Sequence, residues 1–182
     1  MKKIGIIGAM ELEVEELKSK MEITRKEERA SMEFLEGMLN GTDVVIVRSG
    51  IGKVNAALCT QILCDVFEVT HIINTGVAGS LKNEINIGDI VVSTDALHHD
   101  VDVRVFGYPL GEVPQMGCLA FPADEKLSAL AVECCKEVNP DISVYNGRIA
   151  SGDQFISDKK VKEHIITNFG GFCVEMEGAS IA

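Results

Sequence analysis

No apolar run in the 182-residue chain approaches the ~20 residues needed to span a bilayer. The first residues, MKKIGIIGAM, also lack the long apolar segment and cleavage site of a signal peptide. A soluble, cytoplasmic protein without a membrane partner is expected. Basic residues are scarce: 17 Lys and Arg against 28 Asp and Glu give a net charge of −11. That argues against a nucleic-acid partner, because a phosphate backbone needs a basic surface. No CxxC pair occurs among the six cysteines, Cys59, Cys64, Cys118, Cys134, Cys135 and Cys173. The adjacent Cys134 and Cys135 suit neither a structural bridge nor a tetrahedral zinc site, so buried free thiols in a reducing compartment are expected. Low-complexity linkers and repeats are absent as well. What remains is 46% hydrophobic with a mean hydropathy of +0.17, enough for one domain with a proper core and too little for two.

Strand-like and helix-like segments alternate. Residues 3–8 read as a buried strand and Met10 to Met21 as an amphipathic helix. Residues 22–48 read as antiparallel strands with a hairpin turn at Asn40-Gly41. A core-packed helix over 52–67 is followed by strands over 71–79 and 88–97. Residues 100–122 hold three of the four prolines and form a long loop. A helix over 124–138 with an Asp N-cap, a strand over 143–153, a helix near 158–168 and a strand over 172–176 complete the pattern. Such alternation predicts a largely parallel, helix-covered α/β sheet. Ligands bind beyond the carboxyl ends of such strands, which directs attention to GAM, SGIGK, NTGVAG, SGDQF and VEMEG.

The stretch ELEVEE places four glutamates in six residues, at a strand exit where α/β proteins often hold a phosphate. At 100° per residue, Val14, Leu17 and Met21 fall within about 40° of Met10 and with it define a buried face. Glu11, Glu15 and Glu16 lie on the solvated side and need only the helix dipole to explain them. Glu13 lies about 60° from Met10, at the edge of the apolar stripe, and a half-buried carboxylate there calls for a further reason. In VEMEG, Glu175 and Glu177 alternate with Val174 and Met176, so both carboxylates should leave the strand on one face. Glu177 can also be read as an N-terminal helix acid. The glycines of SGIGK make no P-loop, and GIIGAM lacks the full dinucleotide fingerprint. His98, His99 and Asp100 are adjacent on a strand and point to opposite faces, so no metal and no cofactor are expected.

Taken together and in order, GIIGAMELEV, SGIGKVNAAL, INTGVAG, GDIVVS, HHDVDVRVFGY, SGDQFI and VEMEGASIA resemble the bacterial 5′-methylthioadenosine/S-adenosylhomocysteine nucleosidases of the purine nucleoside phosphorylase superfamily. The resemblance covers essentially the whole chain. It implies an α/β fold in one three-layer, phosphorylase/hydrolase-like domain over 1–182, with a twisted, mostly parallel or mixed sheet flanked by helices. It also implies hydrolysis of an adenine nucleoside bearing a 5′-thioether. By the same resemblance Glu13 activates the attacking water and Glu177 binds the ribose hydroxyls. Main-chain groups at Phe155-Ile156 recognise adenine, with the phenylalanine stacked on the base. Ala78 and Gly79 line the base and ribose, and Met10, Ile51 and Met176 surround ribose and the thioether. Val103, Phe106 and Pro114 match residues supplied by a neighbouring subunit, which implies a homodimer. Val77 stands where superfamily phosphorylases tend to carry a phosphate-binding hydroxyl.

The family continues beyond VEMEGASIA through a strand, a loop bearing an Asp general acid and a final helix. No residue here matches that Asp, and Asp153 belongs to a different motif. The expectation is therefore a fragment of a longer protein or a truncated chain. Two other readings stay open: a nucleosidase or phosphorylase of the superfamily acting on another purine nucleoside, and a nucleoside-binding protein without catalysis.

Overall fold

The computed structural model describes residues 2–182. Contacts divide the chain into two compact units, one reaching to Val77 and including Ile181, the other covering Ala78–Ser180 with Ala182.

The first unit opens with β1 (Ile4–Gly8) and α1 (Glu11–Lys20). β2 (Glu22–Arg29), β3 (Met32–Leu39) and β4 (Thr42–Arg48) follow, then α2 (Lys53–Asp65) and β5 (His71–Asn74). The sheet order is β2-β3-β4-β1-β5, antiparallel from β2 to β4 and parallel across β4, β1 and β5. Asn40 and Gly41 turn β3 into β4 with φ of 49° and 77°. Two left-handed residues match the twist of the flanking strands, and a glycine bears that conformation without strain. β1 and β4 bury Ile6, Ile7, Val44, Val45, Ile46 and Val47, so both of their faces are covered. Ile7, Val45 and Val47 pack with Phe34, Leu63 and Phe67 on one side. Ile6, Val44 and Ile46 pack with Val14 and Met21 on the other. Truncating one of these large side chains to alanine costs about 2–5 kcal/mol. β2, reading EITRKEER, is exposed along nearly all its length, and its charges guard the sheet edge against pairing with another chain.

The second unit contains β6 (Gly79–Ser80), β7 (Ile90–His98), a 3-10 turn at Arg104–Phe106 and β8 (Phe121–Pro122). α3 (Glu125–Val138), β9 (Val144–Ser151), α4 (Lys159–Phe169), β10 (Cys173–Glu175) and α5 (Gly178–Ile181) complete the chain. Its sheet order is β6-β10-β9-β7-β8, with β10, β9 and β7 parallel and the outer strands antiparallel. Leu81, Leu97, Ala150, Ile165, Phe169 and Val174 form its core. Asp124 and Asp158 cap α3 and α4, each accepting two backbone N–H bonds, and such caps contribute about 1 kcal/mol apiece. Arg148 on β9 grips both oxygens of Asp95 on β7 at 2.6 and 2.8 Å and donates to the Phe169 carbonyl at 3.0 Å. The Asp95 carboxylate raises the guanidinium pKa, so this cation holds two strands and the negative end of α4 together.

The mixed, helix-flanked α/β architecture agrees with the expectation, but among the described residues the strands pair as two five-stranded sheets rather than one. The strand expected over 71–79 stops at Asn74, one bond short of where the chain leaves the β1 ladder for Glu13. Thr75 N donates to the Ile7 carbonyl at 2.9 Å and Val77 N to the Glu13 carboxylate at 2.9 Å. The thiols also depart from the expectation. Only Cys59 and Cys173 are buried, and burial pushes both up to about 12. Cys64 and Cys134 are exposed and Cys118 and Cys135 half-buried. On α2 the reason is periodicity, since Cys64 sits about 140° around the helix from Cys59. Among the described residues no helix is long and apolar enough to cross a membrane.

Candidate active site

In the first sheet the parallel registers Gly8↔Arg48 and Ile7↔Asn74 bring the carboxyl ends of β1, β4 and β5 to one edge. Beyond these exits come Met10 and Glu13 from β1, Ile51 from β4, and Gly76 and Val77 from β5. Glu13 is half-buried in the first turn of α1. Its Oε2 accepts from Met10 N at 2.8 Å, and its Oε1 accepts from Val77 N at 2.9 Å. The first bond has a local cause, because Met10 at the N-cap offers no side-chain acceptor and an acid at the third helical position can reach back instead. The second bond has no helix-end rationale, since Val77 lies 64 residues further on. Gly76 makes room for it: a Cβ there would stand 2.6 Å from Glu13 Oε1. A carboxylate offers about four lone-pair sites, and these two bonds occupy two. The anchored group therefore keeps acceptor capacity for a water molecule. Met10 is half-buried and Ile51 is exposed beside these exits. An open groove lined by Lys2, Thr24, Glu36, Thr42 and Asp43 lies at the amino ends of β1 and β4, away from this edge.

In the second sheet, Ser151 on β9 pairs with Glu175 on β10, and Val174 pairs with Gly79 on β6. These registers bring Ala78-Gly79, Met176-Glu177 and the segment after Ser151 to a single edge. Glu177 is buried, retaining 7% exposure at the N-cap of α5. The Glu175 carboxylate turns back on the chain that follows it. Its Oε2 accepts from Glu177 N at 2.9 Å and Gly178 N at 2.7 Å. Its Oε1 accepts from Ser151 Oγ, which in turn accepts from Ala179 N at 2.8 Å. β10 ends at Glu175, so the one-face alternation expected for Glu175 and Glu177 does not continue, because these bonds wind the chain into α5.

After β9, Gln154 N donates to the Gly152 carbonyl at 2.8 Å, and the turn leaves Phe155 with 86% of its surface exposed. Ile156 is half-buried against the second core. In the loop after β7, Val103 and Pro114 are half-buried and Phe106 is exposed. Arg104 forks onto Asp102 at 2.9 and 2.6 Å, and the guanidinium draws that carboxyl down to about 2. Asp100 Oδ2 accepts from Asp153 N at 2.9 Å, tying this loop to the exit of β9. His99 lies against Gly152, where a Cβ would stand 2.4 Å from its Nε2. The Gly76 clearance, the Val77 N–H and the Ser151–Glu175 network were not anticipated from the sequence. A backbone donor and a missing Cβ leave no periodic signal.

A family model described as the phosphorylase superfamily matches residues 3–182. The 5′-methylthioadenosine/S-adenosylhomocysteine nucleosidase of Bacillus subtilis is 44% identical over 99% of this chain and 78% of its own length. The crystal structure of such a nucleosidase from Colwellia psychrerythraea, in complex with adenine, superposes with a TM-score of 0.94 at 44% identity, covering 99% of this chain and 74% of that one. Futalosine hydrolase of Helicobacter pylori superposes with a TM-score of 0.92 at 35% identity, covering 99% and 76%. The chain belongs to the 5′-methylthioadenosine/S-adenosylhomocysteine nucleosidase family within the phosphorylase superfamily.

Proposed function

We propose that the chain hydrolyses the N-glycosidic bond of 5′-methylthioadenosine and S-adenosylhomocysteine, giving adenine and 5-methylthioribose or S-ribosylhomocysteine. The observation that carries this reading is the Glu13 carboxylate, fixed by two backbone N–H groups at a strand exit. Breaking the bond gives an oxocarbenium-like ribosyl cation. A fixed carboxylate stabilises that charge and accepts a proton from the attacking water. The hydroxyl of the water joins C1′ and a proton ends on adenine. The same carboxylate repels a phosphate dianion, and the apolar Val77 offers phosphate no hydroxyl. The acidic strand exit met in the sequence thus suits water as nucleophile.

Glu177 is assigned to the ribose hydroxyls, and the main chain at Phe155-Ile156 to adenine, with Phe155 stacking on the base. Ala78 and Gly79 line the base and ribose. Met10, Ile51 and Met176 surround ribose and the thioether, for which a polarisable, apolar lining is suited. Val103, Phe106 and Pro114 complete the tail pocket of a partner subunit in a homodimer. The setting proposed is the cytoplasm, where the reaction serves methionine salvage and removes a by-product of methyl transfer.

The test is adenine release from 5′-methylthioadenosine by the full protein with and without phosphate. Equal rates and a free sugar product are expected. A phosphate requirement with a sugar 1-phosphate product would make the protein a phosphorylase. The likeness to futalosine hydrolase supports a second reading, a nucleosidase for another purine nucleoside. Faster turnover of futalosine than of methylthioadenosine would favour it.

A further inference from the structure

Glu177 is buried, its Oε2 accepting from Met176 N at 3.2 Å, and it opens a three-residue run of backbone, 177–179, whose N–H groups all have side-chain acceptors. Two of those N–H groups bond to Glu175 Oε2 and the third to Ser151 Oγ. Ser151 Oγ itself donates to Glu175 Oε1, so the two side chains form one closed network spanning β9, β10 and the start of α5. Ser151 is fully buried and Glu175 half-buried. A carboxylate accepting two backbone N–H bonds and a hydroxyl has about three of its four lone-pair sites occupied, which leaves little capacity for a ligand.

We propose that Glu175 and Ser151 are positioning residues that set the Glu177 carboxylate for the sugar, and that neither touches the substrate. This inference rests on the assignment of Glu177 to the ribose hydroxyls. Without the network the N–H groups of 177–179 lose their acceptors, and the Glu177 side chain departs from its bound geometry with them. A displacement near 1 Å at a positioned group can cost about a hundredfold in rate.

In the full protein, Glu175→Gln and Ser151→Ala are compared with Glu177→Gln, using 5′-methylthioadenosine and its analogue lacking both ribose hydroxyls. Each single variant should lower kcat/KM for methylthioadenosine by roughly tenfold or more, the scale of one lost charge-assisted hydrogen bond. The loss should largely vanish with the analogue, which gives Glu177 nothing to bind. Combining Glu175→Gln with Glu177→Gln should add little to Glu177→Gln alone, because residues acting through one group are not additive. Equal losses on both substrates, or additive losses in the double variant, would overturn the proposal. So would a variant that melts earlier while keeping wild-type kcat and KM, since the network would then be structural only. Wild-type protein releasing no adenine at all would instead sink the nucleosidase reading, and this inference would fall with it.

Discussion

Glu13 Oε1 and the backbone N–H of Val77 meet at 2.9 Å, joining the first turn of α1 to the chain leaving β5. The second oxygen is held by Met10 N at 2.8 Å, so the carboxylate plane is fixed at both ends by main chain. In the role proposed for Glu13, such preorganisation would leave the charge already oriented when the ribosyl cation forms. It also means that the site is sensitive to changes that leave the fold intact.

Glu13→Gln in the full protein should lower kcat by about 10²–10⁴-fold, the usual contribution of a general base. The amide keeps the shape, loses the charge, and turns a donor toward one of the two N–H groups. One of the two N–H groups then lacks its acceptor, so a modest fall in Tm should accompany the lost rate. Nucleoside binding, measured by calorimetry, should be largely kept. Turnover above about a tenth of wild type would count against the role.

Gly76→Ala tests the clearance around the same carboxylate. A Cβ placed 2.6 Å from Oε1 and 2.9 Å from Cδ forces the Glu13 side chain aside. The obstructed atoms are the far end of a flexible side chain, so the fold should lose at most about 1 kcal/mol, the low end for an overpacked site. Rate should suffer far more than stability, by about a hundredfold. Thermal melts and steady-state kinetics on the same sample separate the two. A variant with wild-type kcat would show that the Gly76 clearance is not needed.

The homodimer predicted from the loop after β7 has a simple physical motive. Val105 and Phe106 keep 86% and 76% of their surface exposed, an uncomfortable pair on a chain this acidic. Sedimentation at micromolar concentration should show a dimer, and Phe106→Ser should weaken both association and turnover. A monomer in the wild type would remove the assignment of Val103, Phe106 and Pro114 to a partner's pocket.

Most of the fold was legible because its signals are local. The apolar runs of β1 and β4, the Asn40-Gly41 turn and the Asp124 cap each act within a few residues. The half-burial of Glu13 was legible for the same reason, from its place at the edge of the apolar stripe of its helix. What could not be read is pairing across distance. Nothing in INTGVAG says that the chain after Asn74 gives its N–H to Glu13 rather than to a strand. Nothing in VEMEG says that Glu175 spends its oxygens on Glu177, Gly178 and Ser151. The division of the strands into two sheets follows from the same long-range choices.

Asp89 offers a test in which charge and geometry can be separated. Its carboxylate accepts from Asn86 N at 2.7 Å and from Ser143 N at 3.0 Å, tying the entry of β7 to the entry of β9. The bonds from Asn86, then those from Ser143, hold its pKa below the ordinary aspartate range. A carboxyl with a folded pKa below its unfolded one binds fewer protons in the native state. Its stabilisation is therefore complete above the unfolded value, near 3.9, and is lost as pH falls through the folded value. Asp89→Asn should melt below wild type at pH 7, and the gap should close as both proteins are taken below about pH 4. Melts of the two proteins at matched pH from 7 down to 3 provide the measurement. A gap that stays constant over that range would mean that Asp89 acts by shape alone, with no contribution from its charge.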